Sequence, residues 1–198
     1  MAPSSAGTIQ AVSPGPFLTI PNAITVVRTT AAVVLAVLAI VHDGSVPLLV
    51  AGYATYWIGD SLDGLSARLL GQETRAGAVF DISSDRLNTG LLAAGLIVHD
   101  PSLALPVAIF LVNFMVVDQV LTLSFLCWPI VSPNYFGQVD HRVYLYNWSH
   151  PAKALNNVGI IVAVIVGNLP LALVIVSAQL AVKVASGVRV ARLLNERR

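Results

Sequence analysis

The chain has 198 residues, of which 56% are hydrophobic and 11% are charged, and its formal net charge is +1. Soluble domains carry about 25% charged residues, so this composition excludes an ordinary soluble domain and favours a membrane protein with several spans. The net charge itself says little about partners. We expect the lipid bilayer to surround the chain, and we expect no nucleic-acid partner.

Two regions follow from the composition along the chain. Residues 1–16 carry no charged side chain and are rich in Ser, Ala, Gly and Pro, which predicts a disordered N-terminal tail. Residues 17–198 are predicted to form one six-helix membrane domain. A segment of about 20 apolar residues spans a bilayer, and the predicted helices cover 21–41, 46–70, 76–98, 103–127, 151–166 and 171–194.

The first helix begins with a polar face. Asn22, Thr25 and Arg28 follow one another at three-residue steps, which places them on one side of the helix near the membrane surface. The fourth helix carries Asn113 and Asp118 in apolar surroundings, and we expect these two side chains to form hydrogen bonds between helices.

The second and third helices hold four carboxylates where a membrane helix is expected to be apolar. Asp60 and Asp63 share one helix face, and Asp81 and Asp85 share a face of the next helix. A short connection makes the two helices antiparallel neighbours, so the acidic faces can meet. An acid within a membrane is costly unless it is paired, hydrated or bound to metal, and this cluster is therefore the candidate site.

The segment 128–152 concentrates aromatic side chains. It holds six of the fourteen aromatic residues of the chain, namely Trp128, Tyr135, Phe136, Tyr144, Tyr146 and Trp148. Aromatic residues are enriched where a membrane meets water, so we expect this segment to lie at the level of the lipid headgroups.

The basic residues predict the orientation in the membrane. None of the eleven Lys and Arg residues falls in the short loops at 42–45, 99–102 and 167–170. The positive-inside rule then places both termini and the acidic cluster on the cytoplasmic side. The predicted fold class is an all-α multi-pass cell-membrane protein, with six transmembrane helices and a polar cavity that faces the cytoplasm. Lys183 lies deep in the sixth helix, where it either faces the cavity of the aspartates, as we expect, or snorkels to an interface.

The chemistry of the four carboxylates favours hard metal ions. Oxygen ligands without a nearby His or Cys suit Mg²⁺, Mn²⁺ or Ca²⁺ rather than zinc. Four carboxylates can hold two such ions, which would clamp a diphosphate and stabilise a displacement at phosphorus. Arg68 and Arg75 at the same mouth suit phosphate oxygens. Simple ion pairs with nearby arginines would leave so many acids at membrane depth unexplained.

The spacing of these residues carries a specific resemblance. The pattern Asp60-x2-Asp63-Gly64-x2-Ala67-Arg68-x8-Gly77-x3-Asp81-x3-Asp85 resembles the signature of the CDP-alcohol phosphotransferase family, also called CDP-alcohol phosphatidyltransferases. The resemblance covers about residues 17–195. It implies an enzyme of phospholipid synthesis that moves a phosphatidyl group from CDP-diacylglycerol to an alcohol and releases CMP. It also implies two divalent cations, Mg²⁺ or Mn²⁺, and a homodimer.

The resemblance assigns roles to individual positions. It implies that Asp60, Asp63, Asp81 and Asp85 bind the metals and that Asp85 also acts as the general base. The residues that it places along the CDP-linked lipid are Asn22, Thr25, Gly64, Ala67, Arg68, Thr74 and Gly77.

The acceptor alcohol is less well defined by the sequence. The start of the first helix looks like that of phosphatidylglycerophosphate and cardiolipin synthases, whereas the stretch from Asp81 to Arg86 resembles inositol-phosphate enzymes. Lys153, Lys183 and Arg189 are cations that could hold an acceptor phosphate. We therefore expect a phosphorylated acceptor, with glycerol 3-phosphate as first choice and an inositol phosphate or another alcohol as the alternative.

A small ion or proton transporter is the alternative from a different functional class. Intramembrane acids that face a lysine could form an ion pathway. The acids cluster at one membrane face, however, and no internal repeat provides a frame for alternating access. Phosphatidyl transfer is therefore the predicted function.

Overall fold

The computed structural model describes residues 13–155 and 167–196. Within these ranges every regular element is helical, which confirms the all-α prediction. The principal helices are α1 (Ile20–Val41), α2 (Val46–Leu69), α3 (Arg75–His99), α4 (Pro101–Cys127), α5 (His141–Asn147) and α7 (Leu169–Asn195), while residues 150–155 form the helical segment α6. The long helices begin and end within two residues of the predicted limits.

Local signals explain several of these limits. The Thr19 side chain caps α1, and the Thr74 hydroxyl accepts a hydrogen bond of 2.9 Å from the Gly77 amide at the start of α3. The turn between α1 and α2 needs Gly44, whose φ is +71° and whose absent Cβ would lie 2.3 Å from the His99 backbone nitrogen. This turn therefore packs directly on the end of α3.

Within residues 13–155 and 167–196, three helices are long and apolar enough to cross a membrane, namely α1, α4 and α7. The chain is thus an integral membrane protein. Helices α2 and α3 have 24 and 25 residues, a sufficient length, but they carry the acidic residues. The predicted fifth span, 151–166, lies mostly outside the described residues, so the six-span arrangement stays a prediction.

Helix α1 packs against both α2 and α3 through small side chains. Ala32, Ala36 and Ala39 are at most 1% exposed and form a stripe along α1. Small side chains let helix backbones approach closely in membrane proteins. Helices α1, α2 and α3 thereby form one bundle, and α7 packs against α4 beside it.

Helix α4 contains a π-helical segment, Asn113–Asp118, and it presents Asp118 to two other helices. Asp118 accepts a 2.6 Å hydrogen bond from Arg86 of α3 and lies 2.6 Å from the Lys183 ammonium of α7. The predicted contact of Asp118 between helices is confirmed. Lys183 is paired with Asp118, and the expectation that it faces the cavity of the four aspartates is corrected accordingly.

The aromatic segment forms a core of its own. Trp128, Phe136 and Trp148 are buried. The centroid of the Phe136 ring lies 5.2 Å from that of Trp128 and 4.8 Å from that of Trp148. They pack with Ile82 of α3 and Val190 of α7. These three rings therefore hold the segment against the helices, and its placement at the level of the lipid headgroups stays a prediction.

Candidate active site

The four carboxylates come together between α2 and α3. One carboxylate oxygen each from Asp60, Asp63 and Asp81 can be chosen so that all three lie within 4.8 Å of one another. Asp85 lies one helical turn further along α3 and shares a hydrogen-bond donor with Asp81. The helical spacing in the sequence was sufficient to anticipate this meeting of two acidic faces.

The donor that joins the four acids is Arg28 of α1. Its Nε donates to Asp63 Oδ2 at 2.6 Å, and its Nη2 donates to Asp81 Oδ1 and, at 3.1 Å, to Asp85 Oδ1. The same Nη2 lies 3.5 Å from Asp60 Oδ1. Arg28 was not among the residues expected in the site. The available signal was its position on the face that also holds Asn22 and Thr25.

The residues around Arg28 leave space for its side chain. A Cβ on Gly59 would lie 2.4 Å from the Arg28 Cβ, so only glycine lets the arginine stem cross α2 at this point. Thr25, one turn before Arg28, donates to Asp63 Oδ2 at 2.8 Å. The guanidinium carbon lies 5.6 Å from the centre of the Tyr56 ring, within the range of a cation–π contact.

The charges of this cluster do not balance. Four carboxylates and one guanidinium have a formal charge of −3, and the excess negative charge needs further cations. The side chains of Asp60 and Asp81 are 41% and 37% exposed, so they can be reached from solvent. Clustered carboxylate oxygens with this access fit the ligand preference of Mg²⁺ or Mn²⁺.

A cleft opens beside the cluster and includes Asp63 and Asp81 in its wall. It encloses about 510 Å³ of space, open solvent included. Its wall holds all seven residues that the sequence analysis placed along the CDP-linked lipid, namely Asn22, Thr25, Gly64, Ala67, Arg68, Thr74 and Gly77. Seven further wall residues were not expected from the sequence, namely Pro21, Gln72, Glu73, Ala78, Val131, Ser132 and Asn134.

A protein-family model described as CDP-alcohol phosphatidyltransferase matches residues 18–188. The chain belongs to the CDP-alcohol phosphatidyltransferase family. It is accordingly a membrane enzyme of phospholipid biosynthesis that transfers a substituted phosphate group from a CDP-alcohol. The family depends on divalent metal ions, and the acidic cluster is compatible with that dependence. Neither a curated protein nor a solved structure matches the chain.

In this CDP-alcohol phosphatidyltransferase the segment 13–19 lies against the rim of the cleft. The Pro14 carbonyl accepts a 2.9 Å hydrogen bond from the Ala76 amide, in the first turn of α3. The Gln72 side chain accepts a 3.1 Å hydrogen bond from the Ile20 amide. Pro14, near the end of the predicted tail, is therefore hydrogen-bonded to the start of α3, while residues 1–12 lie outside the described part.

The aromatic segment supports the opposite rim of the cleft. The Tyr135 hydroxyl donates to Glu73 Oε2 at 2.7 Å, and this hydrogen bond to a carboxylate raises the pKa of Tyr135 above its usual value. Asn134, which directly precedes Tyr135 in the chain, lines the cleft and accepts a 2.7 Å hydrogen bond from the Lys153 ammonium. The loop between α2 and α3 is thus held from both sides.

The three cations predicted for an acceptor phosphate have different partners. Lys153 lies close enough to Asp60, Asp81 and Asp85 to interact with them electrostatically. Lys183 is paired with Asp118, and Arg189 lies 2.7 Å from Asp140. Lys153 is therefore the member of this set that the structure connects to the acidic cluster.

Proposed function

We propose that the chain transfers the phosphatidyl group of CDP-diacylglycerol to an alcohol acceptor and releases CMP. The observation that carries the proposal is the continuity of one cleft, which joins all seven expected nucleotide-side residues to the carboxylate cluster. Two divalent cations, Mg²⁺ or Mn²⁺, would be held by Asp60, Asp63, Asp81 and Asp85. When bound, such ions neutralise a diphosphate and favour ionisation of an attacking hydroxyl.

The cleft residues would bind and orient the CDP group. Gly64, Ala67 and Gly77 have little or no side chain, and a Cβ on Gly77 would lie 2.9 Å from both Asn22 Oδ1 and Thr74 Oγ1. These polar atoms are therefore presented close to the helix surface, where a nucleotide can meet them. Arg68 is exposed at the same wall, and a guanidinium suits phosphate oxygens.

Asp85 is the proposed general base. In the proposed step the acceptor oxygen forms a bond to the phosphorus on the lipid side, as the bond from that phosphorus to the CMP oxygen breaks. The hydroxyl proton moves to an oxygen of Asp85, and CMP leaves with the bond electrons. An aspartate is a weak base, yet it is adequate where a neighbouring cation already lowers the pKa of the hydroxyl.

Glycerol 3-phosphate is the proposed first-choice acceptor, with an inositol phosphate as the alternative. The supporting observation is Lys153, whose ammonium is held by Asn134 at the cleft and interacts with the site aspartates. A cation in that position favours an acceptor that carries a phosphate. Lys183 and Arg189 stay weaker candidates, since both are engaged in ion pairs with other aspartates.

We further propose that the site opens to the cytoplasm and that the enzyme is a homodimer. The orientation is supported by Arg68 in the wall of the cleft and by the loops without Lys or Arg at the other ends of the helices. The dimer is an extension from the family. Both proposals are testable by accessibility labelling in sealed vesicles and by mass measurement of the detergent-solubilised enzyme.

The deciding experiment measures CMP release by the purified enzyme in lipid nanodiscs. We expect release from CDP-diacylglycerol only with Mn²⁺ or Mg²⁺ and an acceptor, and the acceptor panel identifies the alcohol. Asp85→Asn should abolish CMP release while leaving CDP-lipid binding largely intact. Asp43→Asn is the matched control, because Asp43 lies in the α1–α2 turn at φ +55°, where asparagine is also tolerated. Absence of turnover with every acceptor, together with ion flux in liposomes, would favour the transporter instead.

A further inference from the structure

Arg28 occupies the centre of the carboxylate cluster, where a metal ion is also expected. We propose that Arg28 is a resident counter-ion that competes with divalent cations for the four aspartates. It holds the carboxylates together before an ion binds, and it gives up hydrogen bonds to them as the ion binds. This inference rests on the proposed metal site and adds a residue that controls its loading.

The first support is the reach of a single side chain. Arg28 makes its hydrogen bonds to one oxygen each of Asp63, Asp81 and Asp85, and it lies 3.5 Å from Asp60. A divalent cation bound by the same carboxylates would lie within a few ångströms of the guanidinium. Two positive charges so close repel strongly where water is scarce, so one weakens the hold of the other.

The second support is the burial of the guanidinium. Arg28 is 4% exposed, and its Nη1 has no hydrogen-bond partner among the described residues. A buried arginine whose donors are incompletely used is costly, and it is retained where anions compensate it. Gly59 leaves the space that the stem of Arg28 needs. The helices are therefore shaped to deliver a cation to this point.

The consequence concerns the formal charge of the cluster, which Arg28 neutralises in part. Without Arg28 the cluster would carry −4, and with it the charge is −3. Binding of one divalent ion then brings the charge of the cluster to −1, and binding of a second brings it to +1. The arginine thus keeps the metal-free enzyme assembled, and it makes the site bind its first ion less tightly than four bare carboxylates would.

The test uses wild-type enzyme and Arg28→Gln in nanodiscs after chelator treatment. Mn²⁺ binding is followed by electron paramagnetic resonance, and thermal unfolding is recorded with and without saturating Mn²⁺. Arg75→Gln is the matched control, because Arg75 is also a buried arginine but contacts the Leu126 carbonyl and the Phe125 ring. Arg28→Lys serves as a second variant in case the glutamine protein does not fold.

We expect Arg28→Gln to have a lower Tm than wild type without metal and to bind Mn²⁺ about tenfold more tightly. Tighter binding stabilises the variant more at equal Mn²⁺, so the Tm difference should shrink when the ion is added. Arg28→Lys should tighten Mn²⁺ binding less, since it keeps the charge. Arg75→Gln should lose the same amount of Tm in both conditions.

Unchanged or weaker Mn²⁺ binding by both Arg28 variants would overturn the proposal, as would a Tm loss that is equal with and without Mn²⁺. Absence of Mn²⁺ binding by wild type and variants alike would overturn it too. The readouts need no lipid substrate. A wild-type enzyme that binds Mn²⁺ as expected but releases no CMP would instead contradict the proposed function.

Discussion

Two groups of charged side chains lie in the helical bundle, and they differ in balance and access. The acidic cluster joins Arg28 to four aspartates and carries −3, with Asp60 and Asp81 more than a third exposed. The second group, the buried ion cluster, consists of Arg86, Asp118 and Lys183. Its formal charge is +1, and its side chains are only 7–11% exposed.

The difference separates the proposed reactive site from a group that holds the helices together. In the buried ion cluster Arg86 also lies over the Phe114 ring, with its guanidinium carbon 3.6 Å from the ring centre. Each charge there has a partner on another helix, so the group ties α3 to α4 and α7. In the acidic cluster the surplus charge and the solvent access leave a role for cations from outside. An Asp→Asn change in each group should therefore have opposite consequences.

The largest expected effect is on turnover, from Asp81→Asn. This change removes one carboxylate from the group of three that can hold an ion and weakens a contact of Arg28. We expect CMP release to fall by about 100-fold or more, with a small change in Tm. The measurement is steady-state CMP release at saturating Mn²⁺, with Asp43→Asn as control. Turnover within a few-fold of wild type would contradict the assignment of Asp81 as a metal ligand.

The next effect is on stability, from Asp118→Asn. The change leaves Arg86 and Lys183 without their shared anion inside the bundle. We expect a loss of about 3 kcal/mol of unfolding free energy, whereas the Mn²⁺ affinity of the folded fraction should not change. Reversible unfolding of the nanodisc-extracted protein in denaturing detergent measures the loss. A changed Mn²⁺ affinity at unchanged stability would show that the two groups are coupled.

A smaller effect is expected from Gly59→Ala. The new Cβ would lie 2.4 Å from the Arg28 Cβ, so α1 and α2 must move apart. We expect a destabilisation of about 1–3 kcal/mol. If Arg28 is the counter-ion, Mn²⁺ should recover part of this loss. Gly187→Ala, at a position of α7 where no atom lies within 4 Å of the added Cβ, is the control.

The smallest effect concerns Asp140, which caps α5 outside the bundle. Burial raises the pKa of Asp140, but hydrogen bonds from Arg189 and from the Val143 amide outweigh burial and lower this pKa below its ordinary value. A lowered pKa means that this contribution is fully present above about pH 4 and is lost as the pH falls through the native value. We expect Asp140→Asn to lower Tm modestly at pH 7 and to have less effect near pH 3. A Tm difference between wild type and Asp140→Asn that grows toward low pH would contradict the lowered pKa of Asp140.

Much of the fold was predictable, because it depends on local patterns. Apolar runs bounded by Pro, Gly and capping residues set the helix limits, and the spacing of the aspartates set the two acidic faces. Arg28 was missed because its partners lie 35 to 57 residues further along the chain. A helix pattern indicates which face a residue occupies, but it does not indicate which other helix lies against that face.

The same limit applies to Lys183 and to the aromatic segment. The pattern showed that Lys183 is out of place in an apolar helix, yet Asp118 lies on a separate helix that no spacing connects to it. Trp128, Phe136 and Trp148 have the composition of a membrane interface. Their burial depends on a compact arrangement of 128–148 that only the packing on Ile82 and Val190 specifies.

The contact of Gly44 with the end of α3 has a mechanical consequence. Helices α1, α2 and α3 are joined at one end by Arg28 and at the other by the α1–α2 turn packed on His99. We expect contacts at both ends to disfavour a hinge within this bundle. Any widening of the cleft to admit a two-tailed lipid should therefore arise in segment 13–19 or in the aromatic segment. Hydrogen exchange with and without CDP-diacylglycerol should show its largest changes there.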